Sequence, residues 1–153
     1  MRFPQAFAGK EIPGDPFGRH FLERVARTTV KTRHARLKKI ELALRLAVPQ
    51  LKELTDKKDV AGITHLEAVY EHWRPQGAKQ QEDQFSDGTL RLVGLLWSLL
   101  ESDALLLLEE PELSLNSGIV SRLPALIHRL RSKSKREGQV MLTTHSYDLL
   151  SDK

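Results

Sequence analysis

Residues 105–116, LLLLEEPELSLN, join a short apolar run to a cluster of acids, and this combination indicates the fold class. The apolar run from Ala104 to Leu108 ends at Glu109, Glu110 and Pro111. A continuous apolar run of this length is typical of a strand that is buried on both faces of a parallel sheet. We therefore predict such a strand over residues 104–108, with Glu109 and Glu110 at its carboxyl end.

A second short strand is predicted over residues 139–144, QVMLTT, which His145 follows directly. In open α/β sheets, ligands bind outside the carboxyl ends of the strands. Because both predicted strands end in reactive groups, we expect neighbouring parallel strands that bring Glu110 close to His145. Each residue also has a plainer interpretation, since adjacent acids at a strand end often point into water and His145 stands beside Ser146, a typical helix cap.

Helices are predicted on either side of these strands. Residues 89–100 are apolar almost all round, which predicts a helix buried inside the domain. Another helix is predicted over residues 117–132, where Pro124 either bends the helix or lies close to its true start. A last helix begins in SYDLL, residues 146–150. The order helix, strand, helix, strand, helix predicts an α/β fold.

The first half of the chain has a different pattern. Residues 1–31 contain several prolines and glycines and predict an irregular arm or linker in which a short helix is allowed. An amphipathic helix is predicted from about Thr32 to Val48. Residues 50–54 and 64–74 predict two antiparallel strands, with a turn at Lys57, Lys58 and Asp59. Residues 77–84, GAKQQEDQ, read as a polar linker.

Composition restricts the class of protein. The 153 residues include no cysteine, so disulfides, thiolate zinc sites and cysteine nucleophiles are excluded, and any metal must be bound by oxygen or imidazole. The longest apolar runs are shorter than the ~20 residues that cross a bilayer, and the N-terminus lacks the pattern of a secretory signal. We expect a cytoplasmic protein. A net charge of +4 permits nucleic-acid contact, but the basic residues do not alternate with aromatic residues, so DNA is expected only as an indirect partner.

A third motif lies at the start of the predicted buried helix. In FSDGT, residues 85–89, Ser86, Asp87, Gly88 and Thr89 form the kind of turn that binds phosphate. Glycine lets the backbone approach a ligand closely, and the N-terminus of a helix attracts anions. The turn therefore predicts a phosphate contact at the beginning of the helix.

Together, the order and spacing of FSDGT, LLLLEEPELSLN and LTTHS resemble those of the ABC-type ATPases. The resemblance is to the predicted ATPases of the AAA type, relatives of the heads of chromosome-maintenance, double-strand-break-repair and overcoming-lysogenization-defect proteins. It covers residues 32–153 and implies the C-terminal lobe of an ATPase head that uses ATP and Mg²⁺. In such heads the signature loop, here Ser86 and Gly88, contacts the γ-phosphate bound on the opposite subunit. Asp87 and Thr89 replace the glycine and glutamine of the transporter version.

The resemblance also implies roles at the two strand ends. Glu109 occupies the magnesium position of the Walker B motif, where the family at large has aspartate, and Glu110 matches the catalytic glutamate that polarises the attacking water. Ser114 and Asn116 belong to the D-loop, LSLN at residues 113–116, which crosses the dimer interface, and the resemblance implies that both contact the cofactor. His145 matches the switch histidine that senses the γ-phosphate.

One motif of such ATPases is missing. A P-loop has the pattern G-x-x-x-x-G-K-[ST], but PQAFAGKE near the N-terminus has Pro4 in place of the first glycine and Glu11 in place of the hydroxyl residue. We therefore expect hydrolysis only when a P-loop-bearing lobe is supplied and two heads can face each other. The expected partner is such a lobe or a second ATPase head. A fragment of a longer protein, a truncated reading frame and one half of a split enzyme stay open as explanations.

Two classes of function stay open. The chain is either part of an ATPase or a non-hydrolytic module that docks onto another head. A metal-dependent hydrolase built on Glu109, Glu110, Glu112 and His145 is disfavoured, because the sequence lacks the histidine spacings of such enzymes. The biological task, whether DNA repair, chromosome organisation or phage defence, does not follow from these motifs.

Overall fold

The computed structural model describes residues 21–71, 77–101, 105–132 and 138–150. Most of the predicted arm, including the segment with Pro4 and Glu11, lies outside these ranges. Ala104 and residues 72–74, the end of the strand predicted over residues 64–74, also lie outside them.

The predicted α/β architecture is confirmed, with one antiparallel and one parallel sheet. Along the chain the elements are α1 (Phe21–Arg27), α2 (Val30–Leu44), β1 (Leu51–Lys58), β2 (Thr64–Tyr70), β3 (Ala78–Gln81), a 3₁₀ turn (Glu82–Gln84), α3 (Asp87–Glu101), β4 (Leu106–Glu109), α4 (Ser117–Val120), α5 (Leu123–Ser132), β5 (Val140–Thr143) and α6 (Tyr147–Leu150). Pro124 is the second residue of α5, so it lies near the true start of that helix, one of the two expected positions.

The first sheet is an antiparallel meander in the order β1-β2-β3. The predicted pairing of β1 with β2 is confirmed, but the predicted turn is wrong, because Lys57 and Lys58 pair with β2 as the last residues of β1. The turn begins at Asp59, whose carboxylate accepts hydrogen bonds from the backbone N–H groups of Ala61 (2.9 Å) and Ile63 (2.8 Å). A short acidic side chain that bonds to the backbone ahead of it favours a turn more strongly than charge alone does.

The polar linker predicted over residues 77–84 is also wrong in part. Residues 78–81 form β3, which pairs antiparallel with β2 from Glu67↔Gln81 to Tyr70↔Ala78. Strand β3 is at the edge of the sheet and none of its residues is fully buried, so its sequence carries little of the apolar alternation that marks a strand.

The core lies around α3, whose central residues are all buried. Trp97 is fully buried and meets the ring of Phe21 edge to face, with the ring centroids 5.9 Å apart. Phe21 and Val25, both from α1, are fully buried in the same core as Leu37 and Ile40 from α2. The helical part of the predicted arm therefore packs on the domain.

A buried ion pair joins the helices to the first sheet. Arg33 Nε lies 2.9 Å from Asp56 Oδ2, and each side chain is only 7% exposed. The same guanidinium donates hydrogen bonds to the carbonyls of Ala26 (3.1 Å) and Thr28 (3.1 Å). Arg33 thus connects α2, β1 and the end of α1.

The second sheet consists of β4 and β5, which pair in parallel from Leu106↔Val140 to Glu109↔Thr143. The neighbouring parallel strands are therefore as predicted. The expectation that β4 is buried on both faces is wrong: Leu108 is 4% exposed, whereas Leu107 on the other face is 55% exposed. Its neighbour Met141 is 59% exposed. We call the surface formed by Leu105, Leu107 and Met141 the bare sheet face.

No helix within the described ranges has both the length and the apolar character that a bilayer-spanning segment requires.

Candidate active site

The carboxyl ends of β4 and β5 bring together the two groups that the sequence predicted. His145 Nε2 lies 3.1 Å from Glu110 Oε1. Parallel pairing accounts for this contact, because the Glu110 N–H continues the ladder by donating to the Thr143 carbonyl (2.9 Å). The His145 side chain is 90% exposed and that of Glu110 is 31% exposed, so both can meet a ligand from solvent.

Glu110 has a left-handed backbone conformation with φ of +46°, and Ser114 has φ of +65°. Among the described residues these are the two with positive φ that are not glycine. Such conformations are uncommon for residues with a side chain, cost about 1–3 kcal/mol, and cluster at functional sites. The turn after β4 therefore holds strain at two residues that the sequence singled out.

Glu109 stands at the end of β4, beside Thr143 of β5. Residues in a strand alternate between faces, so Glu109 shares the face of Leu107 and not that of the buried Leu108. Its side chain is exposed. A carboxylate is thus available at the edge of the bare sheet face.

Glu112 occupies a different environment from its acidic neighbours. The residue is 9% exposed, and its Oε1 accepts hydrogen bonds from the Thr144 hydroxyl and from the His145 backbone N–H (3.2 Å). Burial raises the pKa of the Glu112 carboxyl, but the hydrogen bonds from Thr144 and from backbone N–H groups outweigh burial and leave this pKa lowered. In the sequence Glu112 is only the third acid of a cluster, and nothing in the spacing of the three acids predicts that its side chain points inward.

The turn predicted to bind phosphate lies at the beginning of α3. Ser86 Oγ lies 2.9 Å from Thr89 Oγ1 and accepts a hydrogen bond from the Thr89 N–H (3.3 Å). Ser86 therefore caps α3. At 15 residues, α3 is long enough for its N-terminal N–H groups to favour an anion.

A cavity of about 460 Å³ combines this turn with the segment predicted as the D-loop, residues 113–116, for which we keep that name. Its walls include all six residues predicted to bind the cofactor, which are Ser86, Asp87, Gly88, Thr89, Ser114 and Asn116. Apolar residues that the sequence reasoning missed complete the walls, among them Ala47, Val48, Leu92 and Ile119. The volume is within the range of small-molecule sites. Neither Glu110 nor His145 is one of the described residues that line the cavity, so the predicted residues form two separate groups.

Gly88 lies against the backbone of the D-loop. A Cβ atom at this position would lie 2.7 Å from the Ser114 carbonyl oxygen. The sequence predicts that this glycine lets a phosphate approach the backbone closely, and the structure adds a second reason why the residue must be small. Only glycine allows the first turn of α3 to pack against the D-loop backbone in this way.

Asn116 has a local role in addition to the one predicted. Its Oδ1 accepts a hydrogen bond from the Ile119 N–H (3.0 Å) and so caps α4. The cap fixes the end of the D-loop relative to the helix that follows.

No cluster of three or more potential metal ligands occurs within the parts of the chain that the structure describes. Mg²⁺ in nucleotide sites is bound by one or two carboxylates together with phosphate oxygens and water. The exposed carboxylate of Glu109 fits that type of site.

Comparison with known proteins gives a family match over residues 3–152, to the family described as "AAA domain, putative AbiEii toxin, Type IV TA system". No significant match was found among curated proteins.

Solved structures of Smc heads have a similar fold. An Smc head domain from Pyrococcus furiosus, bound to the C-terminal domain of ScpA, superposes with a TM-score of 0.58 at 16% identity and covers 78% of this chain. An SmcHead bound to the C-winged helix domain of ScpA gives a TM-score of 0.59 at 15% identity over 94% of this chain. An SMC ATPase studied for ATP-driven dimerization gives a TM-score of 0.56 at 17% identity over 78% of this chain.

The chain spans 30%, 49% and 73% of these three structures, in the order given. At this level of identity the likeness concerns the fold, and it confirms the predicted resemblance to an ATPase head.

Proposed function

The chain belongs to the AAA domain family matched over residues 3–152, and from this premise we propose that it contributes half of a composite, Mg²⁺-dependent ATP hydrolysis site. The contact between Glu110 and His145 at the ends of two parallel strands is the observation that carries the proposal. Bound MgATP would supply the electrophilic γ-phosphate and a cation that neutralises developing negative charge.

Each residue at the strand ends has a task that its position supports. Glu110 orients and polarises a water molecule, and its exposed fraction leaves room for that water. His145 contacts the same carboxylate and senses the terminal phosphate. Glu109 holds Mg²⁺ directly or through water.

The cavity between the turn at Ser86 and the D-loop serves the partner. In this proposal Ser86 and Gly88 close over a terminal phosphate that is bound on the facing head, and the N-terminus of α3 favours its negative charge. Asp87 and Thr89 shape the same turn. Ser114 and Asn116 also line this cavity and contact the facing subunit.

The bare sheet face supports the need for a second lobe. Leu105, Leu107 and Met141 are each more than half exposed, although they belong to the sheet that carries the predicted catalytic residues. Apolar surface of this kind is stabilised when another element covers it. We propose that a P-loop-bearing lobe covers this face and places its nucleotide beside Glu109.

ATP-dependent association provides the test. The chain is mixed with the P-loop-bearing lobe of a member of the same family, and sedimentation is measured with and without MgATP. The lobe should cover the bare sheet face with or without nucleotide, whereas pairing of two completed heads should depend on MgATP. This pairing should be lost in Ser86→Leu, because the larger side chain fills the space of the phosphate.

The matched control is Ser86→Gly, which also lacks the hydroxyl but adds no bulk and lowers the quality of the helix cap only slightly. This variant should retain part of the association. Association of Ser86→Leu at the parental level would contradict the proposed site. Pairing of heads that is the same with and without MgATP would favour the non-hydrolytic docking module instead.

A further inference from the structure

Glu112 connects the turn after β4 to the loop after β5. Its Oε1 accepts hydrogen bonds from the Thr144 hydroxyl and from the His145 N–H (3.2 Å). The Thr144 Oγ1 also accepts a hydrogen bond from the Ser146 N–H (2.9 Å). The backbone is therefore held on both sides of His145 by a network that begins at one buried carboxylate.

The second oxygen of Glu112 shows that this arrangement has a cost. Oε2 is buried and has no hydrogen-bond partner among the described residues. An unpaired buried oxygen of a carboxylate is unfavourable, and the two acids at the strand end, Glu109 and Glu110, are more exposed. A compensating role for the inward orientation of Glu112 is therefore to be expected.

The ring of His145 cannot be held by packing, because its side chain is 90% exposed. Its orientation toward Glu110 depends on the backbone from which it projects. Two hydrogen bonds fix this backbone. The His145 N–H donates directly to Glu112, and the Ser146 N–H donates to the Thr144 hydroxyl, which in turn donates to Glu112.

We propose that Glu112 is a positioning residue, which holds the loop after β5 so that the His145 ring stands at Glu110. Glu112 itself does not touch the ligand. The catalytic meaning of this arrangement rests on the proposed function, but the arrangement can be tested without nucleotide.

The experiment uses the full chain labelled with ¹⁵N and measures amide hydrogen exchange and ring contacts by NMR. Glu112→Met keeps the length of the side chain and removes both acceptors. We expect exchange of the His145 amide to accelerate by about 10- to 100-fold, as for loss of a hydrogen bond to a charged group. The nuclear Overhauser contact between the His145 ring and the Glu110 side chain should also disappear.

The conservative variant Glu112→Gln retains a carbonyl acceptor and should restore both the slow exchange and the ring contact. Glu53→Gln, a change at an exposed residue of β1, controls for loss of charge and should leave both unchanged. Amides within β4 and β5 should keep their parental rates in Glu112→Met.

Two results would overturn the proposal. One is an unchanged His145 amide and ring contact in Glu112→Met. The other is a uniform acceleration across β4 and β5, which would show that Glu112 only stabilises the fold. If Glu112→Met does not fold, Thr144→Val removes the bridging hydroxyl instead, and unchanged exchange at His145 and Ser146 in that variant would likewise overturn the proposal. This NMR experiment contains no nucleotide. Absence of ATP turnover in the completed head would therefore refute the proposed function and leave the positioning role of Glu112 standing.

Discussion

Replacing Gly88 by alanine tests the contact between the first turn of α3 and the D-loop. The added Cβ would lie 2.7 Å from the Ser114 carbonyl oxygen, a backbone atom that cannot rotate away. Either the turn or the D-loop must therefore shift. Overpacking of this kind costs about 1–3 kcal/mol. Alanine in place of glycine recovers about 0.4–1 kcal/mol through the lower entropy of the unfolded chain.

Gly118→Ala is the matched control, because Gly118 also lies in the first turn of a helix. Its added Cβ would lie 3.3 Å from the Asn116 Oδ1 that caps α4, so this side chain must move by a few tenths of an ångström, but no backbone atom lies so close. In urea unfolding, Gly118→Ala should be as stable as the parent or slightly more stable. Gly88→Ala should be less stable than Gly118→Ala by about 1–3 kcal/mol. Equal stability of the two variants would refute the inferred contact between the turn and the D-loop.

Three further changes test other parts of the structure. His65→Asn removes the imidazole whose pKa is raised, chiefly by its hydrogen bond to Glu82. The stabilisation from this raised pKa is complete below about pH 6.5 and is lost as the pH rises through the folded-state pKa. Thermal unfolding of the parent, but not of the variant, should therefore lose this contribution as the pH rises above about 6.5. A parental pH profile in His65→Asn would contradict this. Asp56→Asn leaves the buried Arg33 without its charged partner and should destabilise the chain by about 3–5 kcal/mol in urea unfolding, whereas a loss below about 1 kcal/mol would refute the burial of the pair. The exposed bare sheet face should cause the isolated chain to self-associate, and Leu107→Lys should reduce this self-association in sedimentation with little loss of stability, because the side chain is 55% exposed. Unchanged self-association in Leu107→Lys would show that the bare sheet face does not cause it.

The parallel pair at the site could be predicted because its sequence signals are local and strong. Two short apolar runs, each ended by a reactive residue, indicate parallel strands whose carboxyl ends meet, and the contact between Glu110 and His145 confirms this expectation. The apolar pattern of residues 89–100 likewise predicted the central helix α3.

Other features depend on tertiary context that a sequence pattern does not contain. A run of leucines looks the same whether the domain itself or another lobe covers the second face, so the exposure of Leu107 could not be predicted. Strand β3 was missed because an edge strand of polar residues is stabilised by pairing with β2 and not by an apolar face.

Side-chain direction within the acidic cluster was equally inaccessible. Glu109, Glu110 and Glu112 are chemically alike in the sequence, but the left-handed turn at Glu110 changes the chain direction and sends Glu112 inward to Thr144. The roles assigned to these three acids stay predictions until they are tested by substitution.

The rate of phosphate release from Glu110→Gln, measured in the presence of the P-loop-bearing lobe, tests the central claim most directly. The amide keeps the shape of the side chain and removes the charge that polarises water, so the rate should fall by about 10²- to 10⁴-fold while MgATP-dependent association persists. Glu71→Gln, which changes a carboxylate beyond the end of β2, is the control and should hydrolyse ATP at the parental rate. Parental phosphate release by Glu110→Gln would contradict the assignment of the two strand ends as the catalytic site.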